Sequence, residues 1–533
     1  MTLLDRRDFL RRSAALAAGV TFAPLLSGQR FAVAEPGAPV SGTFAEGVVF
    51  HDRSGSGVRK PGDEGIKGVL VSNGRDVVKT DSNGRYRLPV EDEAIIFVIK
   101  PSGWALPVNE HNLVRRHYLH RPNGSPKSEY PGIAPTGPLP ASVDFPLLPS
   151  KEPSKFRMVL FGDPQPRDQK EVDYIAHDVV EDLIGVDAAF GLSLGDIMFD
   201  DLSLYESLNS VIATIGLPWH NLRGNHDVNY DSVDNQHSGE TYKSFYGPTY
   251  YAFDYGQVHF LILDDVTYEG AAAHRYHGEL GQTQLDFIKN DLAFVPKDKL
   301  VVVAMHIPLT GVHDREALYR LLEDRPHAMS ISAHTHFHQH MFLEAKDGWR
   351  GAQPHHHFNH ATVCGCWWSG APDEMGIPHA TMTDGGPNGY SFIDFDGPKY
   401  SVEFHPARRL PTDQMNIYTP DGVTSANSGD TDVLVNVYAG SPRSVVEMKV
   451  GKHSDWSPMR PTVTEDPYYV NLKKAEAGPN PPPGISLPDT GKTDHIWTAK
   501  LPAGLPKGTH LAQVRTTDMF GHTYTGRRII TVG

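Results

Sequence analysis

The alternation of apolar and polar positions divides the chain into three blocks. Residues 42–150 alternate short apolar runs with Gly and Asn turns, which is typical of a β-sandwich. Residues 151–408 alternate apolar strand candidates with helical patterns and so predict a layered α/β core. The clearest helical spacing is that of Val172, Ile175, Val179 and Leu183. Residues 409–533 return to short alternating strands and predict a second β-sandwich-like domain. The predicted fold class is therefore multidomain, α/β + β.

Residues 1–34 have the pattern of an export signal. Arg6-Arg7 precede Phe9-Leu10 and an Ala-rich run, which is typical of the twin-arginine pathway. The run is too short and too interrupted to span a bilayer, so we predict no transmembrane anchor. Ala32-Val33-Ala34 is the expected cleavage tripeptide. We therefore expect a periplasmic or secreted protein that interacts with the twin-arginine export machinery; a disordered basic leader is the alternative.

Composition limits the classes of partner. At 533 residues the chain is too long for one ordinary domain, and its formal net charge of −15 argues against nucleic-acid or anionic-membrane binding. A buried metal cluster would still attract a phosphate locally. The two cysteines, Cys364 and Cys366, are expected to be small buried residues, with a strained disulfide as the alternative.

A polar residue follows the carboxyl end of each of five buried-looking strands in the central block. In α/β sheets, ligands bind at this end of the strands. These residues are Asp163, Asp196, Asn225, His306 and His334. They could be separate helix caps and core histidines. As a set, their oxygen and nitrogen donors suit Mn, Fe, Zn or Mg. Two such ions about 3.5–4 Å apart would stabilise both the attacking and the leaving oxygen in a displacement at phosphorus.

The motifs GDPQ, GDIMFDD, GNHD, MHIP and AHTH stand in this order between Gly162 and His336. They resemble the signature of the calcineurin-like metallophosphoesterases, in particular a bacterial exported subfamily with accessory β-domains on both sides. The resemblance implies a four-layer α/β/β/α catalytic core at residues 151–408 and two divalent metal ions, most readily Mn, Fe or Zn. The block at 42–150 also resembles small prealbumin-like or adhesin-repeat domains.

The resemblance also assigns roles to individual residues. The first metal would be held by Asp163, Gln165 and His336. The second would be held by Asn225, His306 and His334, and Asp196 would bridge the two. His226 would be the catalytic histidine. We expect Asp200 to orient its ring, with Asp201 and Asp227 as alternatives.

Two positions depart from the family pattern. Gln165 stands where the family usually has histidine, although one branch carries the same Asp-Pro-Gln. An amide oxygen is a weaker donor than imidazole, so Gln165 is expected to weaken the first site or to bias it toward Mn. Ala333 replaces a glycine, and only a small effect is expected unless the backbone there needs a positive φ.

The implied function is an exported hydrolase of phosphomonoesters or phosphodiesters, in which a hydroxide bridging the metals attacks phosphorus and His226 assists the leaving oxygen. The alternative is a non-catalytic metal-binding or surface-interaction protein. Gln165 favours that alternative, whereas the intact Asp196, Asn225 and His226 count against it.

Several residues outside the motifs are candidates for further roles. Trp367, Trp368 and Asn388 are candidate substrate-binding residues, and packing is the competing interpretation for both tryptophans. Residues 355–357 are three histidines that form either a third metal site or a solvated loop. Asp52 begins a segment that weakly resembles a calcium loop, and a plain turn is the competing interpretation.

Overall fold

Eight strands come first in the computed structural model, which describes residues 43–451 and 455–533. They are β1 (Phe44–His51), β2 (Leu70–Ser72), β3 (Val77–Lys79), β4 (Arg85–Pro89), β5 (Ala94–Ile99), β6 (Trp104–Ala105), β7 (His117–His120) and β8 (Phe145–Pro149). They form two four-stranded sheets in the orders β4-β1-β8-β6 and β3-β2-β5-β7. Val49 of the first sheet and Val98 of the second are fully buried in the apolar layer that the sheets share. This part of the chain is therefore a β-sandwich.

The predicted export signal and its cleavage tripeptide lie outside the described residues. Within the described ranges, no helix is long and apolar enough to cross a membrane.

Asp52 ends β1 in a turn. Its carboxylate accepts the backbone N–H groups of Ser54 and Ser56 at 3.2 Å each and that of Gly57 at 2.7 Å. Both oxygens therefore face N–H donors, as in an Asx turn. The segment is better explained as a turn than as a calcium loop.

The central part of the chain alternates strands and helices. Its strands are β9 (Lys155–Phe161), β10 (Phe190–Ser193), β11 (Trp219–Asn221), β12 (Tyr251–Tyr255), β13 (Val258–Ile262), β14 (Val266–Tyr268), β15 (Tyr276–Gly278), β16 (Leu300–Ala304), β17 (Ala328–Ser332), β18 (Gln339–Leu343), β19 (His355–Asn359), β20 (Gly389–Asp396) and β21 (Lys399–Pro406). Its α-helices are α1 (Gln169–Ile175), α2 (Tyr205–Ala213), α3 (Glu240–Tyr246), α4 (Gly281–Leu292) and α5 (Arg315–Leu322). The helix at α1 continues as a π-turn over Ala176–Val180 and a 3₁₀ turn over Glu181–Leu183.

These elements form four layers. One sheet has the order β11-β10-β9-β20-β21 and the other β12-β13-β16-β17-β19-β18. Aromatic side chains such as Phe190 and Phe260, 5.4 Å apart between ring centroids, fill the space between the sheets. α1 and α2 cover the outer face of the first sheet, and α4 and α5 pack against the second. All four residues of the predicted helical spacing, Val172, Ile175, Val179 and Leu183, are fully buried. The predicted α/β/β/α core is confirmed.

The last part of the chain is again rich in β-structure. Its elements are β22 (Met415–Tyr418), β23 (Asp432–Val437), β24 (Val445–Val450), β25 (Ser457–Pro458), β26 (Arg460–Glu465), α6 (Pro467–Glu476), β27 (Lys492–Lys500), β28 (Gly508–Thr517) and β29 (Thr523–Val532). Two four-stranded sheets, β22-β23-β27-β26 and β25-β24-β28-β29, enclose Val435, Trp497 and Val514. α6 is not among the predicted elements, although Asp466 at its N-cap and Pro467 at its first position are start signals. The multidomain α/β + β class is thus confirmed.

Candidate metal centre

The predicted strand-end residues come together at one end of the two central sheets. β9, β10 and β11 are parallel neighbours in one sheet, and β16 and β17 are parallel neighbours in the other. Their carboxyl ends therefore lie side by side. The ligand atoms of Asp196, His306 and His334 all lie within 4.8 Å of one another.

His306 lies at the middle of one half of the cluster. Its Nε2 is 3.0 Å from Asn225 Oδ1, 3.1 Å from His334 Nδ1 and 3.3 Å from Asp196 Oδ1. Its other ring nitrogen, Nδ1, lies 2.8 Å from the carbonyl oxygen of Leu194 and donates to it. With Nδ1 fixed on a carbonyl oxygen, Nε2 is directed at the cluster, which is the usual arrangement of a metal-ligating histidine.

Asp163, His336 and Gln165 form the other half. His336 Nε2 lies 3.2 Å from Asp163 Oδ2, while His336 Nδ1 is 2.5 Å from the carbonyl oxygen of Gly365. Gln165 connects the halves, because its amide nitrogen donates to Asp196 Oδ2 at 3.1 Å. Its amide oxygen lies 3.6 Å from Cys364 Sγ. Cys364 and Cys366 are both buried free thiols, so the disulfide alternative is wrong.

The residues present fit divalent cations. Asp163 is fully buried, and its Oδ2 accepts no hydrogen bond despite the nearby His336 ring. A buried carboxylate oxygen without such a bond is costly unless a cation compensates its charge. Carboxylate, amide and imidazole donors suit hard to borderline ions, and both His306 and His336 have the backbone carbonyl partner that fixes a ligating ring.

Burial and neighbouring charges together set the pKa values of the cluster. Burial lowers the pKa of His306, but Asp196 and Asp163 outweigh this effect and raise that pKa to about 10. Burial, followed by the charge of His306, lowers the pKa of His334 well below its ordinary value. Burial raises the pKa of Asp196, but His306 and His226 together hold it below its usual range. The site therefore stabilises positive charge at its centre.

The backbone is strained where the ligands project. Five predicted metal ligands and Asp200 have a positive φ, a region that residues other than glycine rarely adopt. They are Asp163 (31°), Gln165 (48°), Asp196 (46°), Asp200 (69°), His334 (70°) and His336 (59°). Gly224 of the GNHD motif is required by space, because a Cβ there would lie 2.1 Å from the backbone nitrogen of Asp196. Ala333 is not among the positive-φ residues, so the backbone has no need of glycine there.

His226 lies beside the cluster with Asp200 as its partner. The distance from His226 Nδ1 to Asp200 Oδ1 is 2.6 Å, and the Phe199 ring stacks on the imidazole at 4.6 Å. Burial lowers the pKa of His226, but Asp196 and Asp200 outweigh it and leave the pKa raised. Asp201 instead accepts from the backbone and hydroxyl of Ser203.

Asp227, the other alternative, joins two site loops. Its carboxylate accepts the backbone N–H groups of Ile197 and Gly224 at 3.1 and 2.8 Å and the hydroxyl of Tyr205 at 3.0 Å. Burial, and then the charge of Asp196, raise the pKa of Asp227 to about 7. Asp227 therefore holds the GDI and GNH motifs together.

The structure corrects two of the three candidate substrate-binding residues. Trp368 is fully buried in the apolar cluster beneath the first sheet, where it packs against Tyr174. Asn388 is 1% exposed, and its amide donates to Asp178 and to the carbonyl of Val363. Neither offers a surface to a substrate. Trp367 is partly exposed, and its ring lies 4.3 Å from that of His336.

Sequence reasoning missed one aromatic residue at the site. Tyr276 on β15 is 36% exposed, and its ring centroid lies 6.0 Å from that of His334. It comes from a two-stranded ribbon of β14 and β15 outside the two central sheets. Nothing in its local sequence distinguishes it from other surface tyrosines.

The three consecutive histidines are buried strand residues. They form the start of β19, so the solvated-loop interpretation is wrong. The hydroxyl of Ser330 bonds His355 and His357 at 2.8 and 2.7 Å, and His356 bonds the hydroxyl of Tyr400 at 2.7 Å. These bonds give the rings a packing role in the sheet.

Three family models match the chain in succession. The N terminal of calcineurin-like phosphoesterase matches residues 54–130, calcineurin-like phosphoesterase matches 156–338, and the C terminal of calcineurin-like phosphoesterase matches 357–524. The middle match contains every predicted metal ligand. The chain belongs to the calcineurin-like phosphoesterase family.

No curated protein matches the chain. Among solved structures, the chain is similar to a purple acid phosphatase from yellow lupin (Lupinus luteus) seeds, at 14% identity and a TM-score of 0.35. The match covers 63% of this chain and 66% of the lupin protein, slightly less than two thirds of its length.

Proposed function

We propose that the protein is an exported, metal-dependent phosphohydrolase that cleaves phosphomonoesters or phosphodiesters. One observation carries the proposal: the His226–Asp200 pair lies beside a buried cluster of carboxylate, amide and imidazole donors. A protein that only binds metal has no need of an oriented histidine next to its ligands.

The ligand set would divide between two divalent ions, Mn, Fe or Zn. Asp163, Gln165 and His336 would hold one ion, Asn225, His306 and His334 the other, and Asp196 would lie between them. When bound, such ions act as Lewis acids that activate water and neutralise charge on phosphoryl oxygens.

Residues of the chain orient the catalytic histidine and protonate the leaving oxygen. Asp200 accepts the Nδ1 proton of His226, which leaves Nε2 of the ring to donate to the departing oxygen. The ring stacked on Phe199 cannot turn without breaking both contacts. His226 is therefore the general acid of the proposed reaction.

The surroundings of the ligands favour an organic phosphate ester. Phe199, Tyr276 and Trp367 are each partly exposed, and each contacts a histidine of the site. Such rings offer apolar faces and edges on which the alcohol part of a substrate can pack.

The first test is hydrolysis of p-nitrophenyl phosphate and of bis-p-nitrophenyl phosphate with added Mn²⁺. Asp196→Asn is expected to abolish turnover of both, while Asp396→Asn, an exposed carboxylate at the far end of β20, should have no effect. The ratio of the two wild-type rates assigns monoester or diester preference. Bound metal without turnover of either ester would instead establish the metal-binding alternative.

Export is tested separately. The twin-arginine assignment rests on Arg6 and Arg7, so replacing both with lysine should leave the protein in the cytoplasm of a bacterial host. The matched control replaces Arg11 and Arg12 with lysine, which keeps the same charge and leaves the Arg6-Arg7 motif intact. Equal export of both variants would overturn the assignment.

A further inference from the structure

The segment Asp384–Gly389, here called the DGGPNG loop, lies buried between the catalytic core and the C-terminal domain. Asp384 and Asn388 are only 2% and 1% exposed. Since Asn388 does not face a substrate, the loop needs another explanation, which its hydrogen bonds supply.

One side of the loop bonds the backbone that carries the predicted ligands. Asp384 Oδ2 accepts the backbone N–H of His338 at 3.0 Å, two residues beyond the ligand His336. Asn388 donates to the carbonyl oxygen of Val363 at 2.9 Å, and the N–H of Val363 in turn donates to Gly162 at 2.7 Å. Gly162 directly precedes Asp163, so two predicted ligands of the same half-site, Asp163 and His336, connect to this loop.

The other side of the loop bonds the C-terminal domain. His495 on β27 lies with Nε2 3.1 Å from Asp384 Oδ2 and with Nδ1 2.8 Å from Asn436 Oδ1. Asn436 on β23 donates to the carbonyl oxygen of Asp384 at 2.7 Å and to Asp466 at 3.0 Å. His495 and Asn436 are 1% and 2% exposed, so these bonds are shielded from water.

The contact between the DGGPNG loop and the C-terminal domain leaves no room for a side chain at residue 385. Gly385 has φ 81°, and a Cβ on it would lie 2.2 Å from Cγ of Asp466. Gly385 therefore lets the C-terminal domain approach closely enough for His495 to reach Asp384.

The ligand loop needs such support. His334 and His336 both have a positive φ, and strained residues keep their conformation only where neighbours hold them. Asn359 holds one side, with bonds of 2.6 Å to Thr335 Oγ1 and 2.7 Å to the carbonyl oxygen of Phe337. Asp384 holds the adjoining backbone at His338.

We propose that His495 of the C-terminal domain is a positioning residue of the metal site, which acts through Asp384 to fix the loop that carries His334 and His336. The C-terminal domain is then a working part of the metal centre rather than an independent binding module. The inference rests on the proposed function, because it concerns the same site. Burial lowers the pKa of His495, but Asp384 outweighs this and leaves it raised, in agreement with a ring that donates from both nitrogens.

The test measures Mn²⁺ affinity by titration calorimetry on the full chain. His495→Leu is similar in size but removes both donors. It is expected to raise the dissociation constant severalfold, up to about tenfold, the lower end of the effect of removing a group that bonds a ligand directly. His495→Gln keeps one donor and should lie between wild type and His495→Leu. The matched control is His522→Leu, which breaks a surface pair with Asp518 (2.9 Å) in the same domain.

The outcomes separate the two proposals. Suppose that the wild-type protein binds Mn²⁺ and that folded His495→Leu binds it as tightly as the His522→Leu control. This result would overturn the inference and leave the proposed function standing. If His495→Leu does not fold, His495→Gln decides in the same way. If the wild-type protein bound none of Mn²⁺, Fe²⁺ and Zn²⁺, both proposals would be overturned. A weakened affinity with an unchanged unfolding midpoint in EDTA would support the positioning role, since a purely structural residue would shift the midpoint instead.

Discussion

Asp200 Oδ1 lies 2.6 Å from His226 Nδ1, and this contact is made by a residue with a φ of 69°. A non-glycine residue at that φ is strained, and this backbone conformation directs the carboxylate toward the ring. Phe199, the residue before it, stacks on the same imidazole. Two consecutive residues thus fix the orientation of the proposed general acid.

The first prediction concerns this pair. We expect His226→Ala to lower kcat about 10²- to 10⁴-fold, the usual contribution of a general acid. Asp200→Ala should lower kcat less, because it frees the ring without removing it, and should leave KM and metal content unchanged. Steady-state kinetics on p-nitrophenyl phosphate, with metal analysis of each variant, check both results.

Asp201→Asn is the matched control for Asp200. Its carboxylate accepts from the backbone and hydroxyl of Ser203 at 3.1 and 2.6 Å, so turnover should stay at the wild-type level. If Asp201→Asn lost as much activity as Asp200→Ala, the assignment of Asp200 as the orienting acid would be wrong.

The second prediction concerns Gln165, which lies between the half-sites. Imidazole is a stronger donor than an amide oxygen, so Gln165→His is expected to lower the dissociation constant of one of two Zn²⁺ ions about tenfold. Competition titration against a chelator measures this. Gln169→His on the exposed side of α1 is the control. Unchanged affinity for both ions would show that Gln165 is not a ligand.

The metal cluster could be predicted from the sequence because its signal is local. Each predicted ligand lies two to four residues beyond the end of a short apolar strand, and parallel strands place their carboxyl ends at one edge. Asp163 after β9 and His306 after β16 are examples. Neither prediction needed knowledge of which strands are neighbours.

The supporting contacts could not be predicted because they join distant segments. His495 reaches Asp384 across 111 residues, and Asn388 reaches Asp178 across 210. Trp368 could not be assigned from the sequence either. A tryptophan side chain suits both a substrate-binding surface and an apolar core, and only the tertiary packing places it in the core. Hydrophobic periodicity carries no information about contacts between residues that are far apart in the sequence.

The third prediction concerns substrate choice. Tyr276→Ala should lower kcat/KM for p-nitrophenyl phosphate by up to about tenfold, since an aromatic contact contributes about 0.5–1.5 kcal/mol. Hydrolysis of glycerol 2-phosphate, which has no ring, should be unaffected. Tyr276→Phe keeps the ring and serves as the control. Equal losses on both substrates would mean that Tyr276 supports the site itself rather than the substrate.

The last prediction concerns stability against pH and uses His259 on β13. The ring is 1% exposed and lies between Asp254 Oδ1, 2.8 Å from Nδ1, and Asp291 Oδ2, 2.7 Å from Nε2. Burial lowers the pKa of His259, but the two carboxylates outweigh it and raise the pKa from 6.5 to about 9. The folded protein therefore holds this proton more tightly than the unfolded chain.

A pKa raised in the folded state stabilises the protein fully below the unfolded value of 6.5, and this contribution is lost as the pH rises through about 9. It amounts to on the order of 3 kcal/mol in the free energy of unfolding. Urea unfolding at pH 6, 7.5 and 9 should therefore show the difference between wild type and His259→Gln shrinking as the pH rises. Because both proteins share the metal cluster, the titration of its histidines cancels in that difference. A difference that stayed constant over this range would mean that His259 is neutral in the folded protein, and that its two carboxylate contacts do not stabilise an imidazolium.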